Sequence, residues 1–197
     1  MSMIIQKTID NAWDATLFRI IPKWVRPNHL TIAKIIFLPI IVLVFYFGNF
    51  WIALALFIIA ALFDSIDGAL ARKRNLISPL GTWLDPFADK LLIVVAIILI
   101  YSFYPYKSFL MIVAIIEIAA IIISVIVHFG LKEVGIVKAD WWGKIKLALQ
   151  VAGVVLIILF IISGNLGILF LSAIILSVAI VFSLASIFNR IYIIIKK

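Results

Sequence analysis

The sequence predicts an all-α integral membrane protein with six transmembrane helices, preceded by an N-terminal amphipathic helix at the membrane interface. Of the 197 residues, 66% are hydrophobic and the mean hydropathy is +1.31, whereas soluble domains contain about 45–50% apolar residues. The apolar residues also fall into six runs, each near the ~20 residues that a helix needs to cross a bilayer. We therefore expect one membrane domain over residues 1–197, with an interfacial helix over 1–27 and a six-helix bundle over 28–197.

The N-terminal segment has the residue pattern of an amphipathic helix. Apolar residues recur at helical spacing from Met3 to Trp24, and charged residues fall between them. This pattern is typical of a helix that lies on the membrane surface. Pro22 and Pro27 are expected to end it.

The six apolar runs are separated by polar or turn-forming residues. They extend over residues 30–47, 51–70, 82–101, 109–129, 142–162 and 166–187, and the last helix is expected to continue toward Ile195. Gly48-Asn49 closes the first run, and Gly164-Asn165 is short enough to make the fifth and sixth a tight hairpin.

The basic residues are distributed unevenly among the loops. They cluster in the N-terminal segment, the second-to-third loop, the fourth-to-fifth loop and the C-terminus, whereas the other loops hold only Lys107. Because cytoplasmic loops carry the excess of Lys and Arg, both termini and the second-to-third loop are expected to face the cytoplasm at the cell membrane. The net charge of +8 then indicates membrane orientation and attraction to anionic lipids rather than a nucleic-acid partner.

Four aspartates flank the second-to-third loop. Asp64 and Asp67 end the second run, and Asp85 and Asp89 begin the third. A carboxylate at the centre of a membrane helix costs at least ~2.5–3.5 kcal/mol, so such residues indicate a functional site. Helical spacing places each pair on one helix face. An antiparallel hairpin turning near residues 76–77 would bring Asp67 level with Asp85 and Asp64 level with Asp89.

Like charges this close are stable only if some are protonated or if cations lie between them. The chain has no cysteine, and His29 and His128 are its two histidines, so the donors are oxygens that favour Mg²⁺ or Mn²⁺. Two such ions ~3.5–4 Å apart suit an in-line phosphoryl displacement. Gly68 and Gly81 would let a ligand approach the backbone closely, and Arg72 would bind phosphate.

The eight positions resemble the complete signature of the CDP-alcohol phosphatidyltransferase family: Asp64-x2-Asp67-Gly68-x2-Ala71-Arg72-x8-Gly81-x3-Asp85-x3-Asp89. The resemblance implies a homodimeric membrane enzyme that transfers a phosphatidyl group from a CDP-linked lipid to an alcohol and releases CMP. It implies that the four aspartates hold two divalent ions and that Asp89 is also the general base. It further implies a CDP pocket formed by Asp67, Gly68, Ala71, Arg72 and Gly81.

The start of the first span offers two interpretations. Asn28 or Thr31 could cap the helix, whereas the resemblance implies that both border the CDP site. Lys34 stands where the phosphatidylglycerophosphate synthases of this family usually have arginine. It keeps the positive charge but lacks the bidentate guanidinium.

Two lysines, Lys144 and Lys146, begin the fifth span in the pattern Gly-Lys-x-Lys-x3-Gln. They would serve as interfacial anchors or, as the resemblance implies, bind the acceptor phosphate together with Lys34. Glu117, in the middle of the fourth span, resembles the acid of an Arg-Glu pair in which Ile116 replaces the arginine. It is expected to pair with Lys34, Lys144 or Lys146, or else to remain protonated and unpaired.

The predicted function is phospholipid biosynthesis, with CDP-diacylglycerol as donor and glycerol 3-phosphate as acceptor, because the whole chain is collinear with phosphatidylglycerophosphate synthases. Phosphatidylglycerol, giving cardiolipin, and inositol phosphate are alternative acceptors, since Lys34 and Ile116 depart from that pattern. A divalent-cation transporter is the alternative from another class. Acids confined to one side of the membrane argue against a transport pathway.

Overall fold

The computed structural model describes residue 22 and residues 25–74, 76, 79–130 and 141–195. The described residues form six helices: α1 Pro27–Tyr46, α2 Phe50–Lys73, α3 Pro79–Ile100, α4 Lys107–Gly130, α5 Trp141–Ser163 and α6 Leu166–Ile195. Each predicted apolar run coincides with one of these helices, so the all-α prediction is confirmed. The expected N-terminal interfacial helix lies outside the described residues.

Several helices have the length and surface of membrane-crossing segments. Pro27–Tyr46, Gly143–Ser163 and Leu166–Phe188 are long and apolar enough to cross a bilayer, and Phe50–Phe63 is a shorter apolar stretch. Large apolar side chains point outward along these helices, among them Ile36, Phe170 and Ile174. Such a surface suits contact with lipid, because soluble monomers rarely expose large contiguous apolar patches.

Two glycines allow the tight turns that the sequence predicted. Gly48 and Gly164 have φ of 78° and 66°, in the left-handed region that glycine adopts without strain. After the second turn, the Asn165 side chain accepts a hydrogen bond from the Gly167 amide at 2.8 Å and so caps the start of α6. These turns make α1–α2 and α5–α6 antiparallel hairpins.

The two helices that carry the aspartates, α2 and α3, contact each other less extensively than either contacts α1. Helix α5 also packs against both of them and pairs most extensively with α6, while α4 packs against α3 and α6. The chain therefore uses α1 and α5 to position the aspartate-bearing helices.

An aromatic cluster closes the end of the bundle remote from the aspartates. The ring centroids of Phe45 and Phe50 are 5.0 Å apart, and Phe103 lies 5.7 Å from Phe45 and 5.6 Å from Phe50. All three contacts are edge-to-face, a favourable arrangement for aromatic pairs. The cluster attaches the connection between α3 and α4 to the α1–α2 turn.

The α5–α6 hairpin depends on a glycine at its contact. A Cβ atom at Gly153 would lie 2.5 Å from Leu176 Cδ2 and 2.6 Å from Leu176 Cγ. Since Leu176 is itself buried, we expect Gly153→Ala to destabilise the protein by roughly 1–3 kcal/mol, the usual cost of overpacking. Thermal unfolding in detergent measures this. Gly143→Ala is the matched control, because its Cβ would meet only Ser186 Oγ, at 3.8 Å. Equal melting temperatures for the two variants would contradict the close contact.

Candidate active site

One face of α1 brings together an aspartate from α2 and an aspartate from α3. Thr31 Oγ1 donates a hydrogen bond to Asp67 Oδ2 at 3.1 Å, and the Lys34 ammonium forms an ion pair with Asp89. Thr31 and Lys34 are three residues apart, so they share a face of α1, about 4.5 Å apart along the helix axis. The two carboxylates therefore meet the same short stretch of α1.

These side chains are largely removed from solvent. Lys34 is 0% exposed and Asp67 2%, and Thr31 is also buried. The Asp89 side chain keeps 18% of its surface exposed. Buried charges are tolerated when they are paired and hydrogen-bonded, which the α1 contacts provide. The partly open Asp89 is thus the more accessible of the two carboxylates.

The structure excludes one of the two interpretations of the first span. Helix α1 begins at Pro27, with Arg26 as its N-cap residue, so Asn28 and Thr31 lie inside the helix. The interpretation of either residue as a cap is therefore wrong. The Thr31 hydroxyl instead contacts a carboxylate 36 residues away.

The other motif residues lie on the same two helices. The backbone places Asp64, Gly68, Ala71 and Arg72 on α2 with Asp67, and Gly81 and Asp85 on α3 with Asp89. Ala71 is partly buried. The side chains of Asp64, Arg72 and Asp85, and the surroundings of Gly68 and Gly81, lie outside the described part of the structure.

The described oxygen donors suit a hard divalent cation. Among the described side chains, no group of three or more His, Cys, Asp or Glu residues lies close enough together to hold an ion. The two described motif donors, Asp67 and Asp89, are both carboxylates gathered at one helix face. Oxygen donors of this kind fit Mg²⁺ or Mn²⁺.

A second polar cluster, which we call the Glu117 cluster, consists of Glu117, Lys146, Gln150 and Ser183. Lys146 Nζ donates to Glu117 Oε2 at 2.7 Å, and Gln150 Nε2 donates to Glu117 Oε1 at 2.7 Å. Ser183 Oγ donates to the same Oε1 at 3.3 Å. All four residues are buried. One carboxylate of α4 therefore binds side chains from both α5 and α6.

This cluster identifies the partner of Glu117. Of the three candidate lysines, Lys146 forms the ion pair at 2.7 Å. Lys34 pairs with Asp89 instead, and Lys144 is exposed. The alternative of an unpaired Glu117 is therefore wrong.

A lysine connects the Glu117 cluster to the aspartate motif. Lys90, the residue after Asp89, donates from Nζ to the backbone oxygen of Ala120 at 2.7 Å. Ala120 lies three residues beyond Glu117 on α4, within one helical turn. The Glu117 cluster is thus attached to the part of α3 that carries Asp89.

Sequence reasoning missed Lys90, Arg74 and Ser183 as site-forming residues. Arg74, after α2, donates to the backbone oxygens of Pro22 at 3.2 Å and Val25 at 2.8 Å, and so holds the chain that enters α1. The sequence did contain a sign that Ser183 has a partner inside the bundle, because it is a polar residue within an apolar run. The contacts of Lys90 and Arg74 with backbone carbonyls had no signal in the sequence, because a carbonyl is present at every residue.

Comparisons with known proteins agree with the motif. The sequence model of the family described as CDP-alcohol phosphatidyltransferase matches residues 24–185. A CDP-diacylglycerol–glycerol-3-phosphate 3-phosphatidyltransferase of Rickettsia felis is 46% identical over 77 residues, which cover 38% of this chain and 42% of the relative. Proteins of the same name from Salmonella choleraesuis and Escherichia coli K12 are each 35% identical over 130 residues, covering 63% of this chain and 71% of the relative.

The chain therefore spans less than half of the length of the Rickettsia relative. The family match is longer, because it begins just before α1 and ends within α6. That match contains both helices of the motif and the α1 face on which Asp67 and Asp89 converge. Because it spans most of the chain, the chain belongs to the CDP-alcohol phosphatidyltransferase family.

Proposed function

We propose that this protein transfers the phosphatidyl group of CDP-diacylglycerol to glycerol 3-phosphate in phospholipid biosynthesis and releases CMP. The observation that carries the proposal is the convergence of Asp67 and Asp89, two members of the family's eight-position motif, on one buried face of α1. The names of the relatives support glycerol 3-phosphate as the acceptor.

We also propose that all six helices cross the cell membrane as one domain over residues 1–197, with an interfacial helix before them. Both termini and the aspartates would face the cytoplasm. The outward apolar side chains of the helices and the uneven distribution of basic residues support this arrangement. A homodimer is the assembly that the family resemblance favours.

The ligand positions follow from the motif. We assign two divalent ions, Mg²⁺ or Mn²⁺, to Asp64, Asp67, Asp85 and Asp89. We assign CDP to Asn28, Thr31, Asp67, Gly68, Ala71, Arg72 and Gly81. When bound, such ions neutralise the negative charge of a pyrophosphate and of its leaving group. The convergence of Asp67 and Asp89 on α1 and the hydrogen bond from the Thr31 hydroxyl support an oxygen-donor site in this position.

The chain's own residues would act as follows. The Asp89 carboxylate accepts the proton of the acceptor hydroxyl as its oxygen attacks the lipid-bearing phosphorus. The bond from that phosphorus to the CMP oxygen breaks, and CMP leaves with the electron pair. Lys34 orients Asp89 through the ion pair, and Thr31 orients Asp67. Direct transfer of this kind needs no covalent intermediate on the protein.

We assign the acceptor phosphate to Lys34, Lys144 and Lys146. An ammonium group has three N–H donors, and Lys146 uses one of them on Glu117. We expect Lys144→Ala combined with Lys146→Ala to raise the KM for glycerol 3-phosphate at least about tenfold and to change the KM for CDP-diacylglycerol much less, because charge-assisted bonds to phosphate are strong.

Steady-state kinetics with each substrate varied in turn measures both constants. Lys107→Ala is the control, since this exposed lysine lies beside the Tyr101 ring at the start of α4, remote from the aspartates. Equal increases in both KM values would remove the two lysines from the acceptor site.

Purified protein supplied with CDP-diacylglycerol, a divalent cation and a panel of alcohols tests the function as a whole. We expect CMP and phosphatidylglycerophosphate with glycerol 3-phosphate. CMP release only with phosphatidylglycerol or with inositol phosphate would select those acceptors instead. Cation flux into liposomes with no CMP release under any condition would favour the transporter, which the family membership argues against.

A further inference from the structure

Gln150 has a fixed orientation in the Glu117 cluster. A carboxylate only accepts hydrogen bonds, so the side of the amide that faces Glu117 at 2.7 Å is the NH₂ group. The amide oxygen, Oε1, therefore points away from Glu117. It is buried and has no hydrogen-bond partner among the residues that the structure describes. Gln150 as a whole is 1% exposed.

A buried acceptor of this kind is uncommon. Most buried polar groups have a partner, and one without a partner costs roughly 1–3 kcal/mol. The NH₂ end of the Gln150 amide completes the hydrogen bonding of Glu117, and this contact leaves the oxygen end of the amide without a role. Its oxygen, which has no donor among the described residues, is available to a ligand.

The neighbouring Lys146 supplies the complementary feature. Within the described part of the chain its ammonium makes one hydrogen bond, to Glu117, which leaves N–H donors for an anion. Lys146 and Gln150 are four residues apart on α5 and lie on one helix face. Both are held by the same carboxylate. The Glu117 cluster thus offers positive donors and one neutral acceptor side by side, which matches a phosphate ester that also carries a hydroxyl group.

We propose that Gln150 Oε1 accepts a hydrogen bond from the non-reacting 2-hydroxyl of glycerol 3-phosphate and so selects for acceptors with a donor at that carbon. The proposal rests on the proposed function and concerns the same site. Glu117 is then a positioning residue, since it holds the Gln150 amide with its oxygen directed away and the Lys146 ammonium beside it.

The position of the cluster agrees with this role. The contact of Lys90 with the Ala120 backbone oxygen joins α3, next to Asp89, to α4, one turn from Glu117. Helix α5 also packs against both helices of the motif. We therefore place the acceptor phosphate at Lys146, on a helix that packs against both aspartate-bearing helices.

Three acceptors distinguish the outcomes with the unmodified protein: glycerol 3-phosphate, propane-1,3-diol monophosphate, which lacks the 2-hydroxyl, and the 2-fluoro analogue, whose fluorine cannot donate. We expect kcat/KM to fall at least about tenfold for both analogues, because a site built to bind a hydroxyl rejects a ligand that leaves its polar group unpaired. Similar kcat/KM for all three acceptors would overturn the proposal and indicate that Oε1 faces only a bound water. A kcat/KM that is retained with the fluoro analogue but lost with the deoxy analogue would also overturn the proposal. Fluorine can only accept a hydrogen bond, so the protein group would then be a donor.

Gln150→Met provides the second arm. This change removes the hydrogen-bond acceptor and keeps the approximate shape of the side chain. The ratio of kcat/KM between glycerol 3-phosphate and the deoxy analogue should therefore fall toward one. Ser183→Ala is the matched control, because it removes another hydrogen bond to Glu117 without touching the amide oxygen, and it should keep the ratio. An unchanged ratio in Gln150→Met would overturn the inference.

If Gln150→Met does not fold, similar kcat/KM values for the three acceptors with the unmodified protein would still overturn the proposal. Failure of glycerol 3-phosphate itself, with CMP released to another alcohol, would refute the proposed acceptor rather than the role of Gln150.

Discussion

Replacing Asp89 by Asn is expected to reduce phosphatidyl transfer at least about 10²–10⁴-fold, the usual contribution of a positioned general base. The amide keeps the size of the side chain but accepts no proton from the acceptor hydroxyl. CDP binding should be largely retained, because the residues assigned to the CDP pocket are unchanged. CMP release under saturating substrates measures the first effect, and titration with CDP measures the second.

Asp14→Asn is the matched control, since it removes one carboxylate from the N-terminal segment, outside the motif. It should leave both the rate and CDP binding as in the unmodified protein. Because Asp89 is ion-paired with Lys34, the thermal stability of the Asp89→Asn variant must be measured alongside. A folded variant with undiminished CMP release would eliminate Asp89 as the base.

The second large effect is expected at the ion pair between Glu117 and Lys146. Glu117→Gln leaves the buried ammonium without its carboxylate, and Lys146→Met leaves the buried carboxylate without its cation. Each change should destabilise the protein by about 3–5 kcal/mol, the cost of an uncompensated buried charge. The double variant should cost much less than the sum of the two, since no unpaired charge remains and the new amide oxygen still accepts from Gln150 and Ser183.

Unfolding of all four proteins in the same detergent gives the coupling free energy of the pair. Ser177→Ala is a control on α6, because this exposed hydroxyl bonds only to its own helix, at Ala173. It should change the unfolding free energy by less than about 0.5 kcal/mol, as surface substitutions generally do. Additive effects of Glu117→Gln and Lys146→Met would show that the two side chains do not stabilise each other.

Much of the fold was predictable because it is encoded locally. The apolar runs correspond to the observed helices, and Gly48 and Gly164 adopt the left-handed turns expected between them. The aspartate motif was also recognisable, because helical periodicity alone places Asp64 with Asp67 and Asp85 with Asp89. These features depend on residues within a few turns of each other.

The pairing of the buried charges was not predictable in the same way. Lys34, Lys144 and Lys146 were equivalent candidates for Glu117, since a lysine stem is long and flexible and its charge carries no directional preference. The contacts of Thr31 with Asp67 and of Lys90 with Ala120 join residues 36 and 30 positions apart. No periodicity connects such positions.

By itself, the sequence determined that this chain forms apolar helices and that four aspartates flank one connection between them, because hydrophobicity and helical spacing are properties of short segments. Only the tertiary structure decided that Lys34 pairs with Asp89, that Lys146 pairs with Glu117, and that the Gln150 oxygen has no donor among the described side chains. The physical reason is that an ion pair forms with whichever charge the packing of distant helices brings within reach, and the low dielectric of the interior makes that choice energetically large.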